Sequence, residues 1–141
     1  MSNPRLAVNN EGVGAEYATY EIDAVSITYS ATVAGGSSQV GLAVTLTDDN
    51  TIATAADGEE IEGKLIKVEA DGWATVQVGG YMTLPAGTSA SLTNGKKIVG
   101  DLLVSAEGYI REVNTATAAE LGLCRGRIID NSTTTAVVVC L

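Results

Sequence analysis

Lys64-Leu65-Ile66-Lys67-Val68-Glu69-Ala70-Asp71-Gly72-Trp73-Ala74-Thr75-Val76-Gln77-Val78 is the stretch whose reading decides the fold class. Two aliphatic and β-branched runs flank Ala70-Asp71-Gly72. An Asp-Gly pair between alternating runs is among the strongest local hairpin signals, because Gly accepts the positive φ that a tight turn demands. Side chains alternate across a strand, so Ile66 and Val68 are expected on one face, as are Ala74, Val76 and Val78. Trp73, directly after the turn, is expected as a buried hairpin anchor.

The same grammar extends in both directions. Upstream, Glu16 to Asp23, where Tyr17, Thr19, Glu21 and Asp23 alternate with Ala18, Tyr20 and Ile22, and Ser26-Ile27-Thr28-Tyr29 carry β-branched and aromatic residues, and Gly35-Gly36-Ser37-Ser38 breaks the chain. Gln39 to Thr47 alternates, with Val40, Leu42, Val44 and Leu46 on one face, and Asp48-Asp49-Asn50 ends that run. Ala56-Asp57-Gly58, Leu84-Pro85-Ala86-Gly87 and Asn94-Gly95 mark further turns. Lys96 to Val104 and Tyr109 to Val113 are strand candidates around Glu107-Gly108. Arg125 to Ile129 and Ala136 to Leu141 form a last hairpin, whose Val137-Val138-Val139 is apolar on both faces and so belongs at a sheet centre or in an interface. Thr117-Ala118-Ala119-Glu120 has the capping-box arrangement and Gly122 can end the turn, which predicts one short connecting helix.

The expected fold is all-β: a small β-sandwich or partly open β-barrel built from hairpins. Residues 16–141 form the single β domain, and residues 1–15, which show no periodicity, form an N-terminal arm. Of 141 residues, sixteen are Gly and two Pro; there is no Phe and one Trp, so the core must be aliphatic. Each such side chain buries about 1.5–3 kcal/mol.

A net charge of −9 argues against nucleic acid and against an anionic membrane surface, both of which select clustered Lys and Arg. Met1-Ser2-Asn3-Pro4-Arg5-Leu6 lacks the apolar core of a signal peptide, which points to folding in a cytosol. Cys124 and Cys140 have no metal-ligand spacing and sit in apolar runs, where thiols pack as small hydrophobes; the alternative is their pairing across C-terminal strands.

The residues offer little material for catalysis. With no His, the usual general base and the commonest metal ligand are missing. Glu59, Glu60 and Glu62 are the densest acidic cluster, but the alternate oxygen ligands and distal Glu of a calcium loop are not there, so a solvated loop is expected. Gly12-Val13-Gly14 lacks the third glycine of a dinucleotide loop. Neither a cofactor nor a metal is expected. Arg111, Arg125 and Arg127 are expected to pair with surface carboxylates; spacing of two puts Arg125 and Arg127 on one face, where they could instead meet an acidic partner.

From Gly41 onward the chain resembles the head-decoration (cement) proteins of bacteriophage capsids. The resemblance is carried by Ala56-Asp57-Gly58, Gly63-Lys64-Leu65, Thr75-Val76-Gln77-Val78-Gly79-Gly80 and Leu84-Pro85-Ala86-Gly87. It closes on Gly126-Arg127-Ile128-Ile129-Asp130 followed by Thr134 to Val139. Each piece is a common turn signal; their order carries the likeness. It implies a structural, non-catalytic virion protein, made in the host cytoplasm and seated on the capsid exterior. Its partner would be the major capsid protein, and the protein itself a homotrimer or a monomer. From the residues themselves, Val137, Val138, Val139, Arg125 and Arg127 are the interface candidates. The alternatives are a tail-tube or head-fibre component, or a carbohydrate-binding module with Trp73 and Tyr81 as its aromatic platform.

Overall fold

Glu69 donates its N–H to the Trp73 carbonyl at 2.8 Å, and Gly72, at φ 86°, closes the turn that the Asp-Gly pair predicts. A computed structural model describes residues 11–88 and 91–141 of the chain. The turn joins β4 (Gly63–Val68) to β5 (Trp73–Gly79) in an antiparallel hairpin. Ala74 and Val76 point into a core and Val78 packs against it. The β4 face differs from a plain alternation. A bulge between Leu65 and Lys67 changes the phase of the strand, so Leu65 and Val68 are buried together while Ile66 is only partly covered. Trp73 is partly exposed and belongs to neither core.

The fold is all-β. β1 (Glu16–Ile22), β2 (Ala43–Asp48) and β3 (Thr51–Thr54) join β4 and β5 in a closed barrel of order β1-β3-β2-β4-β5. Closure, in place of an open edge, comes from β1, which pairs antiparallel with β5 and parallel with β3. The parallel step needs a long connection, and residues 23–42 supply it on the way to β2. Ser26 to Tyr29 is therefore not a strand; it folds over so that Ile27, fully buried, plugs the barrel core with Val44, Ile52, Leu65, Val68 and Val76.

The second half builds another core. β6 (Tyr81–Leu84), β10 (Val137–Cys140) and β9 (Arg127–Asp130) form one sheet, with β10 in the middle. β7 (Ile98–Leu103) pairs with β8 (Ala106–Glu112). Single bridges, Ile98 to Arg125 and Ala86 to Ile110, tie the two sheets together around Met82, Leu84, Ile98, Ile110, Ile128 and Val139. β2 serves both halves. Ala43 faces this second core and Val44 the barrel interior, which is why consecutive residues of one strand are both buried.

The β7–β8 turn falls at Val104-Ser105 rather than at Glu107-Gly108, which lie inside β8. Gly108 (φ 97°) is there because a Cβ would sit 2.8 Å from Leu42. The helix α1 (Ala118–Leu123) exists, but Thr117 makes no side-chain cap and the helix runs through Gly122 to Leu123. Glu120 is drawn away from the helix start by a stronger partner, Arg111.

Of the arm, residues 1–10 lie outside the described residues. Residues 11–15 are tied down: Gly12 donates to the Tyr81 carbonyl at 2.8 Å and Tyr81 donates to the Val13 carbonyl at 3.0 Å. Glu11 reaches Thr83 and Lys64.

Candidate interaction surface

The last strand shows how little of its apolar sequence is surface. Val137 and Val139 are fully buried in the second core, while Val138, on the opposite face, is partly covered. Arg125 lies before β9, and Gly126, at φ 63°, breaks the alternation between it and Arg127. The two arginines consequently do different things. Arg125 turns inward and donates to the carbonyls of Ile61 (3.2 Å), Glu62 (2.8 Å) and Val78 (2.6 Å), a use of its planar fork that no carboxylate shares. Arg127 is exposed. Of the five candidates, Val138 and Arg127 have surface to offer a partner.

Arg111 pairs with carboxylates as expected. Its Nε donates to Asp57 at 2.7 Å, and Nη1 and Nη2 grip Glu120 at 3.0 and 2.5 Å. Glu120 also accepts the Asn114 N–H at 2.9 Å. The Arg111 hydrogen bonds, joined by that N–H, hold the Glu120 carboxyl below the usual carboxylate range, and the same pairing raises Arg111. This cluster clamps α1 to the Asp57-Gly58 turn.

In the acidic cluster, Glu59 caps its own turn by accepting the Ala56 N–H at 2.9 Å, and Glu62 accepts the Tyr20 hydroxyl at 2.7 Å. Burial, helped by that bond to Glu62, pushes Tyr20 up to about 12. Glu60 is exposed. Among the described residues, no group of three or more His, Cys, Asp or Glu is placed to hold a metal ion. Cys124 and Cys140 are both free, and the Cys124 thiol donates to the Leu121 carbonyl. Trp73 opens β5 and Tyr81 opens β6, beyond the far end of β5, a strand about 20 Å long, so they form no common platform.

Alternation did not reveal the exposed apolar turn tips. Val25, held in a turn by Asp23, is 91% exposed, and Val104, at the β7–β8 tip beside the exposed Leu103, is 86% exposed. Val104 also has φ 61°, a left-handed backbone that β-branched residues almost never adopt. The Thr88 hydroxyl accepts its N–H at 2.7 Å and helps hold it there. Val25 and the residues following the tip, Ser105 and Ala106, line one open groove with Leu42 and Tyr109. The only sequence signal for it was a valine at each turn where polar residues are the rule.

No helix among the described residues is long and apolar enough to cross a membrane. In comparisons with known proteins, no protein-family model and no curated protein matches the chain.

Proposed function

We propose that this protein is a structural virion component that binds the outer surface of an assembled phage capsid and stabilises it. The observation that carries the reading is Val104. Strain held at an exposed apolar position is unfavourable for the isolated chain, and such outliers concentrate where a contact is made. With Val25 beside the same groove, the tip offers a rigid apolar contact on an otherwise acidic protein, whose charge keeps decorated particles apart. The order of turn motifs from Gly41 onward supports the same reading. The contact is with the major capsid protein, and three copies assemble through the face that carries Val138 and Arg127. Small contacts repeated by such a trimer add up when they engage together.

The experiment is co-sedimentation with empty capsids of the genome that encodes the chain. Wild type is expected to pellet with capsids and raise their disruption temperature. The Val25→Asp/Val104→Asp variant is expected to fold at least as stably as wild type, since Asp accepts the left-handed backbone. It is expected to lose at least about tenfold in binding, because few residues carry a contact and an unpaired charge in an apolar one is costly. Wild type left in the supernatant sinks the proposal. Light scattering tests the trimer, which should have three times the 14.4 kDa chain mass.

A further inference from the structure

Three cations of this acidic chain have no counter-charge. Among the described residues, Lys64, Lys67 and Arg111 meet carboxylates and Arg125 meets three carbonyls, which leaves Lys96, Lys97 and Arg127 without an ion pair. These three lie together. The Lys96 carbonyl accepts the Ile128 N–H at 2.8 Å, which puts Lys96 and Lys97 beside Arg127, and all three are exposed. The carboxylates of the adjoining strands, Glu112 of β8 and Asp130 of β9, accept the N–H groups of Thr93 and Ser132 instead. In a protein of net charge −9, adjacent unpaired cations form a patch that fits carboxylates supplied from elsewhere.

The matching surface is at one end of the barrel. The Glu21 N–H bonds the Asn50 carbonyl at 2.8 Å and the Ile22 N–H the Gly72 carbonyl at 3.0 Å, so the β2–β3 turn, the β4–β5 turn and the end of β1 converge. Glu21, Asp48, Asp49 and Asp71 are all exposed there, and Lys67 nearby is taken by Glu69 at 3.1 Å. β5, about 20 Å long, separates this end from the cations: Glu21 pairs with Trp73 at its start, whereas Arg127 pairs with Cys140, and Cys140 with Tyr81, just past its finish. The two charged regions are too far apart to meet within one chain.

We infer that the patch takes the acidic barrel end of a second copy, with Lys96, Lys97 and Arg127 of one chain against Glu21, Asp48, Asp49 and Asp71 of the next. Such a contact joins unlike surfaces, so it closes into a ring or runs on as a filament, and three copies in a ring satisfy every patch. The inference rests on the proposed assembly of copies and not on the capsid contact. Scattering mass reads the first and co-sedimentation the second, so either can fail alone.

The test uses the full chain in two ways. First, the Lys96→Glu/Lys97→Glu and Glu21→Lys/Asp49→Lys variants should each scatter as single chains of 14.4 kDa, because like charges then face each other in every contact. Asp48, which accepts the Asp49 N–H at 2.8 Å, is kept to hold the turn. Mixed in equal amounts, the two variants should regain heavier species that contain both, since each offers the charge the other lacks. Second, a zero-length carbodiimide joins an amine to a carboxylate with loss of water. In wild type it should link Lys96 or Lys97 to Glu21, Asp48, Asp49 or Asp71, in products of at least twice the single-chain mass. Wild type that scatters as one chain overturns the inference, as does either variant keeping the wild-type mass. A mixture that stays at single-chain mass, or links confined to other carboxylates, overturns it equally.

Discussion

Val104 holds a conformation that costs an ordinary L-residue about 1–2 kcal/mol, and nothing in its own exposed side chain repays it. Asn tolerates that region. Val104→Asn is therefore expected to stabilise the free protein by about 1 kcal/mol in urea unfolding while weakening capsid binding. A variant that gains stability and binds as well as wild type would separate the strain from function. Arg125 is the opposite case, a charge used entirely inside its own fold. Arg125→Met strands three carbonyls, and buried groups left without a partner cost about 1–3 kcal/mol each, so a loss of roughly 3 kcal/mol is expected. Arg125→Lys should recover only part of it, because an ammonium lacks the planar fork. None of this was visible in the spacing of Arg125 and Arg127. The carbonyls belong to residues 61, 62 and 78, brought together only when the two halves pack, and a left-handed Gly126 defeats the alternation rule.

Among the elements, β10 gives the sharpest contrast. Val139→Asp places a carboxylate in the second core and should abolish the cooperative thermal transition, since an unpaired buried charge is prohibitive. Val138→Asp, on the partly covered face, should still fold, and light scattering then reports whether the trimer survives. α1 makes a pH-dependent contribution. Glu120 has its carboxyl lowered by Arg111, so its stabilisation is complete above the ordinary carboxylate value near 4.5 and is lost as pH falls through the lowered one. Thermal melts below about pH 4.5 should fall more steeply for wild type than for Glu120→Gln, which has no such proton to bind. Equal slopes would show that the clamp adds nothing. The capping-box pattern located this helix but misassigned its glutamate. Local spacing cannot register that Arg111, on β8, offers two charged hydrogen bonds against one from the helix start.

For the whole molecule, the two cores are expected to unfold as one. β2 contributes Ala43 to one core and Val44 to the other, so neither half can open without stripping the second. The amides of Val76 and Val139 should exchange through the same global opening, with the same denaturant dependence. A separate, shallower opening for either would show two independent units. The β2–β3 and β4–β5 hairpins were legible because each is a local event, with Asn50 or Gly72 at positive φ between alternating runs, whereas the β7–β8 turn, made at Val104, was not. The architecture was not, because a period of two reads the same in a sandwich and in a barrel. What decides is the pairing of Tyr17 with Gln77 and of Ile22 with Ile52, contacts between distant residues that leave no local trace.

That closing pair has a consequence during synthesis. A ribosome delivers residues in order, and β1 cannot take its antiparallel neighbour until Trp73–Gly79 has emerged. At about 5–20 residues per second, the nascent chain carries β1 without that neighbour for roughly three to eleven seconds. In that time only its last two residues, Glu21 and Ile22, can find their partners on β3. Tyr17, Thr19 and Glu21 line one side of that waiting strand and stay exposed in the finished barrel. The interval is one in which neighbouring nascent chains on a polysome could pair by mistake, and the two glutamates of β1, Glu16 and Glu21, discourage it by repelling their own copies.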